Sequence, residues 1–317
     1  DGRPDFGAGT VGLNTPYSAS PAHPALLFYG SFPTGTAQLV EAYYEGDRLY
    51  PRRTRSDLGA KIPSLLRRFP KNDTYARATL GELLGEDRLA AARRFAATEL
   101  RSGVFLSQPD GTYQFQPLPR LAQISPLQGV VAGDFDGDGH ADIYAVQNSY
   151  APIAAIGRFD GGLSQLLRGD GKGNFTPVPP RESSLIVTGD ARALAVTDLD
   201  HDGWPDFLIS RNGSTTLAFR NHGRANRHSF SVRLHGPIGN TTAIGARVTC
   251  ELGDGSSATS EVYAGSGYFS QSSAALFFGF PEGNSPRRLR VTWPSGQAST
   301  YHGPFNSPEI ILNAPVP

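Results

Sequence analysis

The sequence predicts an all-β chain with a small helical insertion, and three features carry that prediction. Glycine (37) and proline (25) make up nearly a fifth of the 317 residues, against about 12% in an average protein, and long apolar runs are absent. Such a composition suits many short strands joined by many turns. A D-x-D-x-D-G-x-x-D loop between two apolar strands is written twice, as "VVAGDFDGDGHADIYAVQN" at 130–148 and "ALAVTDLDHDGWPDFLISRNG" at 193–213. From about residue 228 the loops stop, and apolar residues alternate with polar ones.

The elements follow in chain order. The opening "DGRPDF" repeats the tail "DGWPDF" of the second loop, so Asp1 aligns with Asp202 and Asp5 with Asp206. This is half of a third loop, and its missing first positions predict that the chain is the C-terminal part of a longer precursor. The remaining blades would then come from an upstream segment or another protein chain, because a blade starting in mid-loop leaves an unpaired sheet edge. At 26–46, "LLFYGSFPTGTAQLVEAYYEG" reads as a degenerate copy. There Ser31, Pro33, Gly35 and Gln38 stand about where carboxylates would be, and no metal is expected.

Between 54 and 100 the apolar spacing changes to i, i+3, i+4, which predicts two or three short helices. Leu65, Leu66, Phe69, Leu80, Leu83 and Leu84 are expected to pack on the neighbouring strands. A Gly- and Asp-rich hairpin is read at 166–179, and 104–119 and 217–230 repeat it in weaker form. An acidic-loop hairpin plus a Gly-rich hairpin makes about four strands, recurring at a period of about 60 residues, as a propeller blade does. The sequence therefore divides into partial propeller blades over 1–227 and an antiparallel sandwich over 228–317. In the sandwich, Phe230, Val232 and Leu234, then Ala246, Val248, Cys250 and Leu252, then Leu289, Val291 and Trp293 form the predicted buried face. Cys250 is thus expected to be a small core residue.

The chemistry lies in the acidic loops. Asp134, Asp136, Asp138 and Asp142 occupy positions 1, 3, 5 and 9 of the first loop, and Asp198, Asp200, Asp202 and Asp206 those of the second. Hard oxygen ligands at alternate positions, with Gly at position 6 where the chain must turn, suit Ca²⁺. The backbone carbonyls of His140 and Trp204, at position 7, are the expected further ligands. Without a cation, neighbouring carboxylates repel by about 1 to 4 kcal/mol per pair. An EF-hand is excluded, because position 12 is Ala145 or Ile209 and the flanks are strands.

These loops resemble the FG-GAP or VCBS repeat of integrin-type β-propellers. The downstream "GARVTCELGDGSSATSEVYAGSGYFSQSSAALFFGF" and "VTWPSG" resemble the ASPIC/UnbV domain, with Gly265, Gly267, Tyr268, Ser270, Gln271, Trp293, Pro294 and Gly296 as anchors. The combination is that of cartilage acidic protein-like and UnbV-like secreted proteins. What the resemblance implies is a secreted, extracellular, cell-surface or periplasmic calcium-binding protein of adhesion, matrix or assembly type, non-catalytic, with structural calcium in its blade loops.

Other functions find little support. Twenty-nine basic residues balance 29 acidic ones, so nucleic acid is not an expected partner, and no stretch of about 18 apolar residues could span a membrane as a helix. One cysteine can form neither an internal disulfide nor a thiolate zinc site. No G-x-S-x-G, H-E-x-x-H or G-x-x-x-x-G-K-[ST] occurs, and the seven histidines are dispersed. The alternative reading is a carbohydrate-binding or polysaccharide-processing propeller, in which Tyr43, Tyr44 and Tyr50 form a stacking platform for glycans. "GSGYFSQSS" reads either as a ligand loop or as a sandwich turn with Tyr268 as a packing plug.

Overall fold

Apart from residues 1–2, 33–35, 151, 153–155, 266 and 316–317, the whole chain is described in a computed structural model. It falls into two compact units, Thr15–Leu100, and residues 1–14 with 101–317.

In the larger unit each acidic loop joins two adjacent antiparallel strands. Leu127–Gly133, Asp142–Gln147, Gln165–Gly169 and Phe175–Pro177 form a four-stranded sheet in that spatial order. Ala191–Thr197, Asp206–Arg211 and Leu217–Phe219 form a second, three-stranded one. A third is built from Phe6–Ala8, Gly103–Ser107 and Tyr113–Pro117. Equivalent registers recur in all three: Ile143 faces Leu167, Phe207 faces Phe219, and Phe6 faces Phe105. The short strand after the half loop therefore pairs with a hairpin that follows it only after the whole Thr15–Leu100 unit. Alternation places Val131, Tyr144, Val146, Val196, Phe207 and Ile209 in one buried cluster, where the Tyr144 and Phe207 ring centroids lie 4.5 Å apart.

Two further sheets make the C-terminal sandwich. One holds Ser257–Glu261, Arg247–Leu252, Pro286–Thr292 and Ala298–His302; the other holds Leu276–Pro281, Arg227–His235 and Glu309–Asn313. Every predicted inward residue of its three strands is buried, Cys250 to 1% exposure, and burial pushes the Cys250 thiol up to about 12, so it is an inert core residue. One pairing departs from the antiparallel expectation, because Glu309–Asn313 runs parallel to Arg227–His235. A parallel neighbour requires a long crossover, and here the remaining sandwich strands supply it.

In the smaller unit the sheet order is Arg48–Pro51, Ala37–Glu45, Ala25–Ser31, Arg93–Ala97. Five short helices lie between Arg55 and Ala91. Thr54 caps the first, and Thr79 with Glu82 forms a reciprocal capping box on the fourth, each satisfying otherwise unpaired amides. Leu65, Leu80, Leu83 and Leu84 are buried with Leu26, Phe28, Val40 and Ala42, and Phe69 packs against them, while Leu66 stays exposed. The degenerate copy thus shares a core with the helices. Pro33 and Gly35, two of its four substituted positions, lie outside the described residues.

Candidate metal centre

The two complete loops fold to the same hydrogen-bond pattern. At position 1, Asp134 Oδ1 accepts from the Asp138 amide at 3.2 Å and Oδ2 from Gly139 at 2.8 Å, while Asp198 accepts from Asp202 at 3.2 Å and from Gly203 at 3.0 Å. Position 5 accepts from position 7, His140 to Asp138 and Trp204 to Asp202, each at 2.9 Å. Position 9 closes the loop through the amide of position 2, Phe135 to Asp142 at 3.1 Å and Leu199 to Asp206 at 2.8 Å. Gly139 and Gly203 each turn at φ +86°, a backbone state that glycine adopts without a Cβ penalty.

Position 9 also reaches across to the hairpin. Asp142 Oδ1 accepts from Gly169 at 2.9 Å, Asp206 Oδ1 from Asn221 at 2.7 Å, and Asp5 Oδ1 from Ser107 at 2.8 Å. Asp5 thus holds the same place in its sheet as Asp142 and Asp206 in theirs. Asp1, the other carboxylate of the half site, lies outside the described residues.

Among the described residues, one carboxylate oxygen from each of Asp134, Asp136 and Asp138 lies within 4.8 Å of the others, and so does one from each of Asp198, Asp200 and Asp206. Oxygens that share one Ca²⁺ at about 2.4 Å lie no further apart than about 4.8 Å. The two triads differ in membership. Asp142 stands outside the first and Asp202 outside the second, although Asp142 accepts the same pair of amides as Asp206, and Asp202 the same position-7 amide as Asp138.

A second ring of residues holds the carboxylates. Arg168 Nε donates to Asp136 Oδ2 at 2.7 Å and Arg224 Nη1 to the same oxygen at 2.9 Å, and both arginines pair with Glu182. The other oxygen, Oδ1, is buried and takes no hydrogen bond among the described residues. A buried carboxylate oxygen without a donor is costly, and a cation between Asp134, Asp136 and Asp138 would satisfy it. The residues present therefore fit Ca²⁺. Arg220 pairs with Asp200 in the second loop. It occupies the register of Arg168, each facing the position-9 residue across the strands.

Burial governs the electrostatics. It pushes the Asp134 carboxyl up to about 6, with the charges of Asp138 and Asp136 adding to the shift and the Gly139 and Gly137 amides opposing it. Burial likewise pushes Asp142 up to about 7 and raises Asp206. Carboxylates destabilised as anions in this way are ready to accept a cation.

The side chains at position 7 pack on neighbouring glycines. The Trp204 ring lies over Gly137 and Gly223, so close that a Cβ on Gly137 would stand 2.9 Å from it. His140 lies against Gly171 in the same manner. Tyr268 is 47% exposed and Phe269 82% exposed, so Tyr268 is not a packing plug. The serines of that loop carry its anchorage instead: Ser270 donates to the Leu194 carbonyl at 2.8 Å, and Ser272 accepts from Val196 at 3.0 Å.

Repeated sheets, paired acidic loops and a terminal sandwich define a repeat-built, all-β protein. Residues 95–145 and 153–209 match the FG-GAP-like repeat and residues 236–307 match ASPIC and UnbV, so the chain carries FG-GAP-like repeats followed by a C-terminal ASPIC/UnbV domain. Both families are in general non-catalytic. No curated protein matches the chain. Among the described residues, no helix is long and apolar enough to cross a membrane.

Proposed function

We propose that this protein is an extracellular adhesion, matrix or assembly scaffold, non-catalytic, in which two structural Ca²⁺ ions set the acidic loops. The observation that supports this best is the unpartnered, buried Oδ1 of Asp136 inside a cluster of three carboxylates. Asp134, Asp136 and Asp138, with the carbonyl of His140, would hold one ion. Asp198, Asp200 and Asp206, with the carbonyl of Trp204, would hold the other. Asp142 and Asp202, at the remaining acidic positions of the two loops, would complete the sets. When bound, the cation cancels the mutual repulsion of the carboxylates and fixes the turn between two strands.

Partners follow from the sheet edge and from the domain set. Phe6–Ala8 ends its sheet, and a strand from an upstream segment or another protein chain is the occupant that main-chain pairing favours there. The carbohydrate reading is weaker. Arg52 lies over the Tyr43 ring at 5.6 Å and Arg48 over the Tyr50 ring at 5.7 Å, so on one face of each ring a sugar would compete with a guanidinium group. Tyr44 sits 5.0 Å from the His23 ring.

Metal analysis of protein dialysed against micromolar Ca²⁺ tests the reading. Two ions per chain and a melting temperature lowered by chelator are expected. No bound calcium and an unchanged melt would sink it.

A further inference from the structure

The segment that joins the last blade strand to the sandwich is tied to the acidic loops at several places. Arg220 pairs with Asp200. The Asn221 amide donates to Asp206 at 2.7 Å, and its side chain donates to the Phe135 carbonyl at 2.9 Å. Arg224 donates to Asp136 at 2.9 Å. Thus a linker of seven residues, between Phe219 and Arg227, uses three of them to touch both loops.

The sandwich itself also rests on those loops. A Cβ built on Gly279, in the strand Leu276–Pro281, would lie 2.1 Å from Asp134 Oδ2 and 2.6 Å from the Gly137 Cα. Glycine is therefore required there for the sandwich strand to lie against the position-1 carboxylate. At the second loop, Ser229 Oγ donates to the Gly203 carbonyl at 2.8 Å. A Cβ on Gly203 would meet the Ser229 carbonyl at 3.1 Å and the Pro308 carbonyl at 2.7 Å.

We infer that calcium occupancy of the loops and docking of the C-terminal sandwich form one linked equilibrium, with the Arg220–Asn226 linker as the strap between them. This rests on the calcium reading above and adds to it a role for the ion in joining domains. The physical argument is that the same carboxylates serve both ends. Asp136 and Asp200 offer one oxygen to an arginine of the strap and the other to the ion, while Asp134 stands between the ion and Gly279. Without a cation, repulsion among the carboxylates opens the loop and moves the acceptors on which Arg220, Asn221 and Arg224 depend. Linkage makes the effect reciprocal, so weakening the docking contacts must lower calcium affinity by the same factor.

Trypsin reads the strap directly, because it cleaves after Arg220 and Arg224, and local opening controls such cleavage. The full-length chain is digested with saturating Ca²⁺ and with EGTA, and linker cleavage is followed by mass spectrometry against cleavage at Arg94 in the other unit. EGTA is expected to speed linker cleavage at least about tenfold. Gly279→Ala should lower calcium affinity at the first loop by about tenfold and speed linker cleavage even in calcium. Ser229→Ala, which removes one hydrogen bond and leaves the packing intact, gives a milder variant expected to speed it several-fold should Gly279→Ala fail to fold. Two bound ions together with unchanged linker cleavage in EGTA would overturn the linkage alone. A wild-type chain that binds no calcium would overturn the calcium reading itself.

Discussion

The side-chain amide of Asn221 donates to the carbonyl of Phe135 while its backbone amide donates to the carboxylate of Asp206. One residue of the linker that follows the second sheet thus braces position 2 of the first loop and position 9 of the second. Replacing it with alanine removes the side-chain bond, at a cost of about 1 kcal/mol, and loosens the first loop's tie to the second. Asn221→Ala is expected to weaken calcium binding at the first loop and to leave the Asp206 contact in place, because the backbone makes that one. Calorimetric titration with Ca²⁺ checks this, and a loss confined to the second loop would contradict it.

Removing a position-1 carboxylate should act on one ion at a time. Asp134→Ala deletes the acceptor of three amides in the first loop, Gly137, Asp138 and Gly139, and Asp198→Ala deletes the equivalent acceptor in the second. Each variant is expected to bind one Ca²⁺ instead of two. A ligand at a hundred times its dissociation constant adds about 2.7 kcal/mol to stability, so each variant should also lose part of the stabilisation that calcium gives the wild type. Metal analysis showing both ions lost in either variant would mean that the loops do not fold independently.

Much of this was legible in the sequence because the loops are local. The spacing of Asp134, Asp136, Asp138 and Asp142 marks the acidic loop, though not which three of its carboxylates lie closest, since the equally spaced second loop gathers a different triad; the period-two pattern around Cys250 fixes which face is buried. Less legible were contacts made through register between distant segments. Arg168 and Arg220 stand in corresponding places of "LLRGDG" and "AFRNHG", and that repetition was a usable signal for a ligand-holding cation. Glu182, Arg224 and Gly279 carry no such mark. Their roles depend on how the linker and sandwich lie over the loops, which no local pattern encodes. The strands at 26–46 form the expected hairpin, but their alternation fits a sheet against helices as well as a blade.

The pH dependence of the metal-free protein follows from its raised carboxyls. Asp134 at about 6 and Asp142 at about 7 bind protons more tightly in the folded chain than in the unfolded one, where a carboxylate titrates near 3.9. Their contribution is therefore fully favourable below about pH 4 and is lost as pH rises through 6 to 7. Chelated protein should melt at a lower temperature at pH 8 than at pH 5. Saturating Ca²⁺ should remove or reverse that difference, because the ion replaces the protons. Thermal melts across this range check it, and a chelated protein that gains stability toward pH 8 would refute it.

Gly139 and Gly203 share position 6 and the same φ of +86°, yet their surroundings differ. A Cβ on Gly139 meets nothing within 4 Å, whereas one on Gly203 would stand 2.7 Å from the Pro308 carbonyl and 3.2 Å from the Phe230 Cα. Backbone strain alone costs about 1 to 2 kcal/mol for a residue with a Cβ in the left-handed region. Gly139→Ala should lose about that amount. Gly203→Ala carries the same strain and must also push back the sandwich backbone, which cannot yield as a flexible side chain could. It should therefore be the more destabilised of the two by at least about 1 kcal/mol, and its loss should appear as a weaker joint to the sandwich. Urea denaturation of both variants in saturating Ca²⁺ measures the gap, and equal losses would show that the sandwich does not bear on the second loop.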